Sequence, residues 1–180
     1  NMAQNATIYK AELQIANLDQ HYYANHSLTI ARHPSENEQR MMVRVLAFIV
    51  HASEHLSFCK GISTDNEPDL WQRSLTDDIE LWIELGQVDE KRIRKACGRS
   101  REVHLYTYGG NSAHIWWQQL QNKVSSLDNL KVSNLPEEQV DQLSKMVARG
   151  MSIQATIEDD EIWLSSNAAD CRIQLDHWKI

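Results

Sequence analysis

The sequence predicts an α+β protein in which a mixed β-sheet is flanked by helices and extra strands lie at both ends of the chain. The middle segments alternate between helical and strand periodicity in the order helix, strand, strand, helix, strand, helix, strand. Helices that pack on the faces of a sheet bury the apolar side of both kinds of element. The first and last segments have strand patterns, so we expect them to extend or flank this sheet.

Length and composition are those of a globular protein. The 180 residues predict one domain, residues 1–180, with a hydrophobic core that needs no disulfide or metal to stabilise it. No apolar run reaches the roughly 18 residues of a membrane-spanning helix, and the N-terminal residues lack the layout of a signal peptide. The three cysteines are widely spaced and predict reduced thiols. We therefore expect a cytoplasmic protein without a membrane partner.

The net charge of −7 disfavours a general nucleic-acid binder, because such proteins are more often basic. It does not exclude a local basic patch, and residues 91–101 form one. We expect this basic helix to be the surface for any nucleic-acid partner. The alternative is a solvated helix face whose charge Asp89 and Glu90 partly neutralise.

The N-terminal part predicts two strands followed by a long helix. Residues 7–15 and 26–31 have strand patterns and are separated by a loop near residues 19–25. Ser35 and Glu38 have the spacing of a capping box at the start of the helix. The predicted core-facing stripe of this helix is Met42, Val45, Leu46, Ile49, Ser53 and Leu56.

The next segment predicts a β-hairpin. Residues 69–74 and 79–86 have strand patterns, and residues 76–78 form the predicted turn. Alternate residues of a strand point to opposite faces. In the second arm, one face carries Ile79, Leu81, Ile83 and Leu85, and the other carries Glu80, Trp82, Glu84 and Gly86.

The remaining elements alternate again and close with strands. Pro136 begins the last predicted helix, with Arg149 in its final turn, and Asp159–Asp160 form a turn between two closing strands. The predicted elements are a helix at 89–97, a strand at 102–109, a helix at 111–127 capped by Asn111 or Ser112, a strand at 129–135, a helix at 136–149, and strands within 151–166 and at 171–178.

Carboxylates in the predicted hairpin indicate a metal site. Asp69 follows Pro68 in one arm and Glu84 lies in the other. Carboxylate oxygens are the hard ligands that Mg²⁺ prefers, and phosphodiester cleavage also benefits from a nearby cation. Many metal-dependent nucleases have Pro-Asp followed by Glu-x-Lys on the next strand, but Gly86 stands where the lysine would be.

The helix after the hairpin offers a substitute cation. Lys91 and Lys95 share a face of that helix and are long enough to reach back to the strand end. Two alternatives remain open: Glu80 and Glu84 are the solvent face of an amphipathic strand, and Asp69 is a structural turn residue.

A second metal motif is HASEH at residues 51–55, the inverted H-x-x-E-H pattern of some zinc proteases. His51 and His55 would bind zinc from one helix face, with Glu54 as the base. No third ligand is identifiable, and we expect these histidines to lie on an exposed polar face.

The chain resembles the bacterial YaeQ family over nearly its whole length. The segments that carry this resemblance, in chain order, are ATIYKAELQIANLD, LTIARHPSENEQRMMVRVLAFI, EPDLWQRS, DIELWIELGQVDEKRIRKAC, IWWQQLQNK and MSIQATI. The resemblance implies a variant of the PD-(D/E)xK fold, which has a restriction-endonuclease-like core.

The resemblance also implies a set of site residues. Asp69 and Glu84 take the metal-ligand positions, with Mg²⁺ as the expected cofactor. Lys95 and Glu36 are the predicted catalytic residues, and Arg40 is predicted to contact a substrate phosphate. The expected function is Mg²⁺-dependent, nuclease-like phosphodiester hydrolysis. The alternative is a non-catalytic nucleic-acid- or protein-binding module on the same fold, because a fold does not guarantee an activity.

Overall fold

The computed structural model describes residues 5–60 and 64–180, which form two mixed β-sheets and four helices. The predicted α+β class is confirmed. The helices are α1 (Glu38–His51), α2 (Glu90–Arg99), α3 (Asn111–Leu120) and α4 (Glu137–Ser144). The strands are β1 (Thr7–Asn17), β2 (Tyr22–Arg32), β3 (Leu56–Phe58), β4 (Leu70–Arg73), β5 (Ile79–Leu85), β6 (Ser100–Thr107), β7 (Leu130–Asn134), β8 (Gly150–Glu158), β9 (Glu161–Ser165), β10 (Asp170–Gln174) and β11 (Asp176–Lys179).

The chain divides into two compact units. The first contains the residues up to Val50 together with Glu138–Leu175, and the second contains His51–Glu137 together with Asp176–Ile180. This division does not test whether residues 1–180 form a single domain, which stays a prediction. No helix in the described part of the chain is both long enough and apolar enough to cross a membrane.

The first unit contains a five-stranded sheet in the order β10-β9-β8-β1-β2. β1 and β2 form the predicted antiparallel pair, and β1 also pairs in parallel with β8. Burial alternates along β1, where the residues on the inner face are Tyr9, Ala11, Leu13 and Ile15. The predicted terminal strands therefore build a sheet of their own.

Helix α1 is more buried than its amphipathic pattern predicts. Every residue from Met41 to Ile49 is buried, so the helix has no solvated face over more than two turns. The predicted capping box is wrong. Asn37 caps the helix instead, because its side-chain oxygen accepts a 2.8 Å hydrogen bond from the Arg40 N–H, while Glu38 accepts one from the Tyr9 hydroxyl at 3.0 Å.

The predicted turn between β8 and β9 is confirmed. Asp159 and Asp160 have φ angles of 53° and 64°, as a two-residue type I′ hairpin requires. The Asp19 carboxylate accepts 2.8 Å hydrogen bonds from both of their backbone N–H groups, which holds the turn in this strained conformation.

The second unit contains a six-stranded sheet in the order β11-β7-β6-β5-β4-β3. β4 and β5 form the predicted antiparallel hairpin, whereas β5, β6 and β7 run parallel with α2 and α3 as their crossover connections. The buried apolar cluster of this unit comprises Ile79, Trp82, Val88, Ile93, Ala96, Val103, Leu105, Leu120, Val124, Leu130 and Val132.

Three further sequence-based predictions, of a strand, a helix cap and a helix end, are wrong. The predicted last strand is two strands, β10 and β11, which separate at Leu175 and belong to different sheets. Helix α3 begins after Gly110, whose φ is +59°, and has no side-chain cap from Asn111 or Ser112. Helix α4 ends at Ser144, so Arg149 lies beyond it and donates instead to the Ile8 carbonyl at 2.9 Å.

Candidate functional site

The β4–β5 hairpin brings Asp69 and Glu84 to the same end of the two strands. The regular pairing of the hairpin ends with Leu70 opposite Ile83, and Asp69 and Glu84 are the next residue of each arm. The Asp69 N–H bonds the Ile83 carbonyl rather than that of Glu84, so the register is irregular at this point. The two carboxylates are only 2% and 7% exposed. The Asp69 charge acts on the pKa of the Glu84 carboxyl, so the structure brings the two predicted metal ligands near each other.

Asp69 is held by the backbone on both sides. Its N–H donates to the Ile83 carbonyl at 3.1 Å, and its Oδ2 accepts from the Leu85 N–H at 2.9 Å. The carboxylate, directly before the first residue of β4, thus provides the acceptor for a backbone N–H of the residue that ends β5. Backbone groups of β5 therefore help to set the orientation of the Asp69 carboxylate.

Glu84 is a buried residue, and the alternative in which it lies on a solvent face is wrong. Its Oε1 accepts a 2.7 Å hydrogen bond from Trp82 Nε1, and its Oε2 accepts a 2.5 Å hydrogen bond from Arg92 Nε. Burial raises the pKa of Glu84 above its ordinary value, the Arg92 and Trp82 hydrogen bonds oppose that rise, and the Asp69 charge adds to it.

Arg92 is the cation beside these carboxylates. Besides its contact with Glu84, its guanidinium donates to the Asp65 carbonyl at 2.8 Å and to the Glu67 carbonyl at 3.0 Å. Asp89 caps α2 by accepting from the Arg92 N–H at 2.9 Å, which fixes the first helical turn. Because this turn follows the end of β5 closely, its arginine reaches Glu84.

The predicted lysines lie elsewhere. Lys91 and Lys95 are exposed, and neither side chain has a hydrogen bond or ion pair within residues 5–60 and 64–180. The catalytic role of Lys95 stays a prediction, and no contact between its side chain and the two carboxylates supports it. Sequence reasoning missed Arg92 because it searched for a lysine, although the position of Arg92 directly behind the helix cap was a usable signal.

Gly86 explains why the lysine of the motif is absent from β5. Its φ is +97°, a conformation that side-chain-bearing residues rarely adopt. Its N–H donates to the Tyr106 carbonyl at 2.8 Å, so this backbone turn is part of the sheet. The chain leaves the strand at the point where Glu-x-Lys would require a regular extended residue.

Glu36, Arg40 and Arg44 form a separate ion cluster in the first unit. Glu36 is 2% exposed, and its carboxylate accepts from Arg40 at 2.7 Å and from two nitrogens of Arg44 at 2.9 and 2.7 Å. Arg44 also donates to the Ala31 carbonyl at 3.1 Å. The catalytic role of Glu36 and the phosphate contact of Arg40 stay predictions, and both residues already have a structural role.

The zinc interpretation of HASEH is not supported by the geometry. Helix α1 ends at His51, so His51 and His55 do not share a helix face. His51 is half-buried rather than on an exposed face, and its Nε2 lies 2.6 Å from the Tyr106 hydroxyl. Within the described residues there is no group of three or more His, Cys, Asp or Glu side chains placed to hold a metal ion.

The carboxylate pair nevertheless fits Mg²⁺ in its donor chemistry. Mg²⁺ commonly takes only one or two carboxylates from the protein and completes its coordination with water and substrate phosphate. A carboxylate offers about four lone-pair positions, so the Trp82 and Arg92 contacts do not exhaust Glu84. Asp69 and Glu84 are therefore the residues of this unit that would hold such an ion.

Buried histidines lie on the other face of the six-stranded sheet. His104 pairs with Ile83 in the parallel register, so it points away from Glu84. Its Nε2 lies 2.8 Å from Ser133 Oγ, which is 3.0 Å from His177 Nδ1. Burial lowers the pKa of His104 to about 2 and that of His51 to about 4, with neighbouring positive charge adding to the shift. Both rings are neutral in the folded protein.

Acidification should therefore destabilise the protein through these two histidines. Their folded pKa values lie below the unfolded value of 6.5, so their contribution is complete above pH 6.5 and is lost as the pH falls toward 4. Each contributes a slope of up to about 1.4 kcal/mol per pH unit in that range. Urea unfolding between pH 7.5 and 5 measures this, and His104→Gln should have a smaller slope than the wild type.

The exposed His55 provides the matched control for the pH experiment. His55→Gln should leave the dependence of stability on pH unchanged, because this ring is exposed. Equal slopes for the wild type and His104→Gln would contradict a neutral, buried His104.

Comparison with known proteins places the chain among close relatives. The family model described as YaeQ protein matches residues 2–175. The uncharacterized protein YaeQ of Escherichia coli K12 is 47% identical over 178 residues, covering 99% of this chain and 98% of that protein, and the Salmonella typhi protein of the same name matches equally. The crystal structure of YaeQ from Xanthomonas axonopodis pv. citri has a TM-score of 0.94 at 44% identity and covers 97% of this chain and 98% of that chain. The structure from Pseudomonas syringae has a TM-score of 0.94 at 32% identity and covers 99% of this chain and 98% of that chain.

Proposed function

Because this chain belongs to the YaeQ family, we propose that it is a Mg²⁺-dependent phosphodiesterase of the PD-(D/E)xK, restriction-endonuclease-like class. Asp69 and Glu84 are the metal ligands in this proposal. The observation that supports it most is the burial of two carboxylates, one in β5 and one directly before β4, beside one guanidinium. One guanidinium offsets the charge of only one carboxylate, and a bound Mg²⁺ would offset the remainder, so such a pair is a candidate functional site.

Arg92 takes the place of the motif lysine in this proposal. When bound, Mg²⁺ supplies Lewis-acid activation of a phosphoryl oxygen and of water. Arg92 has the planar donor geometry that matches a phosphate oxygen pair, and its place beside Glu84 puts that charge next to the metal ligands. Its present contacts with the Asp65 and Glu67 carbonyls orient the guanidinium.

The exposed side of α2 is the proposed surface for a nucleic-acid backbone. Lys91 and Lys95 are exposed there, one helical turn apart, and extend the positive charge beyond Arg92. The helix ends at Arg99, so the predicted basic helix 91–101 is shorter than expected, and Arg101 lies in β6. Phosphate contacts of this kind bind without sequence preference.

The second candidate is a binding module without cleavage. It is favoured by the completeness of the Arg92 contacts: each side of the guanidinium has an acceptor, and both oxygens of Glu84 have a donor. A buried ion pair of this kind is self-sufficient without a metal. On this interpretation α2 would bind an anionic partner while the carboxylates only support the fold.

The experiment that separates the two candidates is a paired metal and cleavage assay. Mg²⁺ and Mn²⁺ are titrated calorimetrically into the wild type, Glu84→Gln and Glu80→Gln, and each protein is incubated with single- and double-stranded DNA and RNA. Glu84→Gln should lose metal binding and reduce cleavage by about 100-fold or more. Glu80→Gln, on the same strand but half-exposed, is the control and should behave as the wild type.

Each candidate has an outcome that contradicts it. Metal binding by Glu84→Gln equal to the wild type would remove Glu84 as a ligand. Absence of cleavage with retained nucleic-acid binding, weakened by Lys91→Ala and Lys95→Ala together, would support the binding module. Absence of any nucleic-acid interaction would contradict the phosphodiesterase and would leave an anionic protein as the partner of the binding module.

A further inference from the structure

Strand β2 is a long and regular edge strand. It lies at one end of the five-stranded sheet, with β1 as its neighbour in the sheet order. Its eleven residues, Tyr22–Arg32, pair with β1 without a bulge or register shift. A strand of this length presents an edge of about 36 Å. A long, unbroken edge is a template for pairing with another strand.

The contacts of neighbouring residues show which backbone groups of β2 point outward. Lys10 of β1 pairs with Gly150 of β8, and its N–H donates to the Arg149 carbonyl. The backbone N–H and C=O groups of even-numbered β1 residues therefore point toward β8. The Ile8 carbonyl points the same way, so the backbone groups of its partner Ala31 point away from β1. The hydrogen bond from Arg44 to the Ala31 carbonyl agrees with this.

Odd-numbered residues of β2 therefore carry the outward backbone groups. Ala31 already has Arg44 on its carbonyl, which covers the end of the strand near α1. The outward N–H and C=O groups of the remaining stretch belong to Tyr23, Asn25, Ser27 and Thr29. The backbone N–H and C=O groups of even-numbered β2 residues form the hydrogen bonds to β1. A second strand could therefore pair with the odd-numbered residues without breaking the β1–β2 ladder.

The sequence of β2 has none of the usual protection of an edge. Residues 22–31, YYANHSLTIA, contain no Asp, Glu, Lys, Arg or Pro, although 24% of the whole chain is charged. Natural edge strands are commonly blunted by Lys, Pro or a bulge. On the inner face, Tyr22, Ala24, His26 and Leu28 are only half-buried, whereas the equivalent β1 residues are at most 4% exposed.

We propose that β2 is a dimerisation edge, on which β2 of a second copy pairs antiparallel over residues 23–29. Antiparallel pairing of identical strands satisfies a two-fold axis, because residue i of one strand pairs with residue j of the other while j of the first pairs with i of the second. It would join the two five-stranded sheets into one of ten strands. The half-buried Leu28 of each copy would lie opposite Ala24 and diagonal to Tyr22 of the other, so these side chains would cover each other.

The geometry of the edge favours a second copy of the chain as the occupant, because a two-fold axis at His26 sets the outward residues Asn25 and Ser27 of one copy opposite Ser27 and Asn25 of the other. Two molecules that each carry −7 repel each other, and this repulsion opposes the contact least where the approaching segments have no charge. Residues 22–31 form such a segment. A foreign extended peptide is the other possible occupant, and the test below separates it from self-association.

The test uses proline at an outward position. Pro is tolerated on an edge strand where its missing N–H would face solvent, so Ser27→Pro should retain the β1–β2 ladder. Ser27→Ala is the matched control, because it removes the hydroxyl and keeps the N–H. Sedimentation over a concentration series should show a dimer for the wild type and Ser27→Ala, and at least a tenfold weaker dimer for Ser27→Pro.

A second measurement needs no variant. In the dimer, the N–H groups of Asn25, Ser27 and Thr29 should exchange with solvent as slowly as those of His26 and Leu28, and the protection should fall on dilution. A wild type that stays monomeric at every concentration would overturn the proposal, including where an added peptide binds the edge. A folded Ser27→Pro variant that dimerises as tightly as the wild type would also overturn it.

Discussion

Replacing Arg92 by alanine should lower the free energy of unfolding by about 3 kcal/mol, because it leaves the buried Glu84 without its charge partner. The Arg92 side chain is 23% exposed and that of Glu84 is 9% exposed, so solvent screens this pair only weakly. The two backbone carbonyls at Asp65 and Glu67 also lose their donor. Urea unfolding of the variant at pH 7.5 measures the effect.

Two further variants identify the cause of that loss. Arg94→Ala removes an exposed pair with Glu90, whose side chains are 47% and 37% exposed, and a hydrogen bond to the Lys123 carbonyl, and should cost no more than about 1 kcal/mol. Glu84→Gln combined with Arg92→Ala should be more stable than Arg92→Ala alone, because no buried charge remains unpaired. A double variant that is less stable by the full sum of the single effects would contradict a direct pair.

The dependence on pH follows from the Glu84 carboxyl. The pKa of Glu84 in the folded protein lies above its ordinary value, so the folded state binds this proton more tightly than the unfolded state does. The contribution of Glu84 to the free energy of unfolding therefore falls as the pH rises through the folded pKa. Loss of Arg92 removes the hydrogen bond that opposes the rise, which moves the pKa higher. The difference in stability between wild type and Arg92→Ala should therefore shrink as the pH falls toward 5.

Replacing Glu36 by alanine should have the other large effect, a loss of about 3 to 5 kcal/mol, because two guanidiniums lose their common carboxylate. Arg44 is the more costly of the two, since it is 6% exposed and donates two hydrogen bonds to this carboxylate. Thermal and urea unfolding measure the loss. This prediction holds whether or not the protein cleaves phosphodiesters.

Comparison with Glu36→Gln and Glu90→Ala separates charge from shape. Glu36→Gln keeps one oxygen acceptor and should lose less stability than Glu36→Ala. Glu90→Ala removes a carboxylate of a partly exposed pair and should change stability by no more than about 0.5 kcal/mol. A stable Glu36→Ala variant with altered activity would show that Glu36 serves function rather than the fold.

Local patterns in the sequence determined most of the elements. Alternation between apolar and polar residues predicted β1, β2 and the β4–β5 hairpin, and two adjacent aspartates predicted the β8–β9 turn. These features depend on neighbours along the chain, such as the φ angles that a tight turn requires. Helix caps were less predictable, because Ser35 and Asn37 are both capable caps and only one of them forms the bond.

The sequence also determined the candidate site in part. Asp69 and Glu84 were identifiable from residue type and spacing, and the β4–β5 hairpin places them at the same end of its two arms. Arg92 was not identifiable in the same way, since several basic residues lie within one helical turn of each other. Which of them reaches Glu84 depends on where α2 begins and on the direction it takes after β5.

What the sequence by itself determined is therefore the local conformation and the face on which each side chain lies. Tertiary structure alone decided the sheet to which each strand belongs, as at Leu175, where β10 of one sheet is followed directly by β11 of the other. It also decided the partner of each buried charge. The physical reason is that both choices depend on contacts between residues far apart in the chain, and local periodicity is the same whichever partner is present.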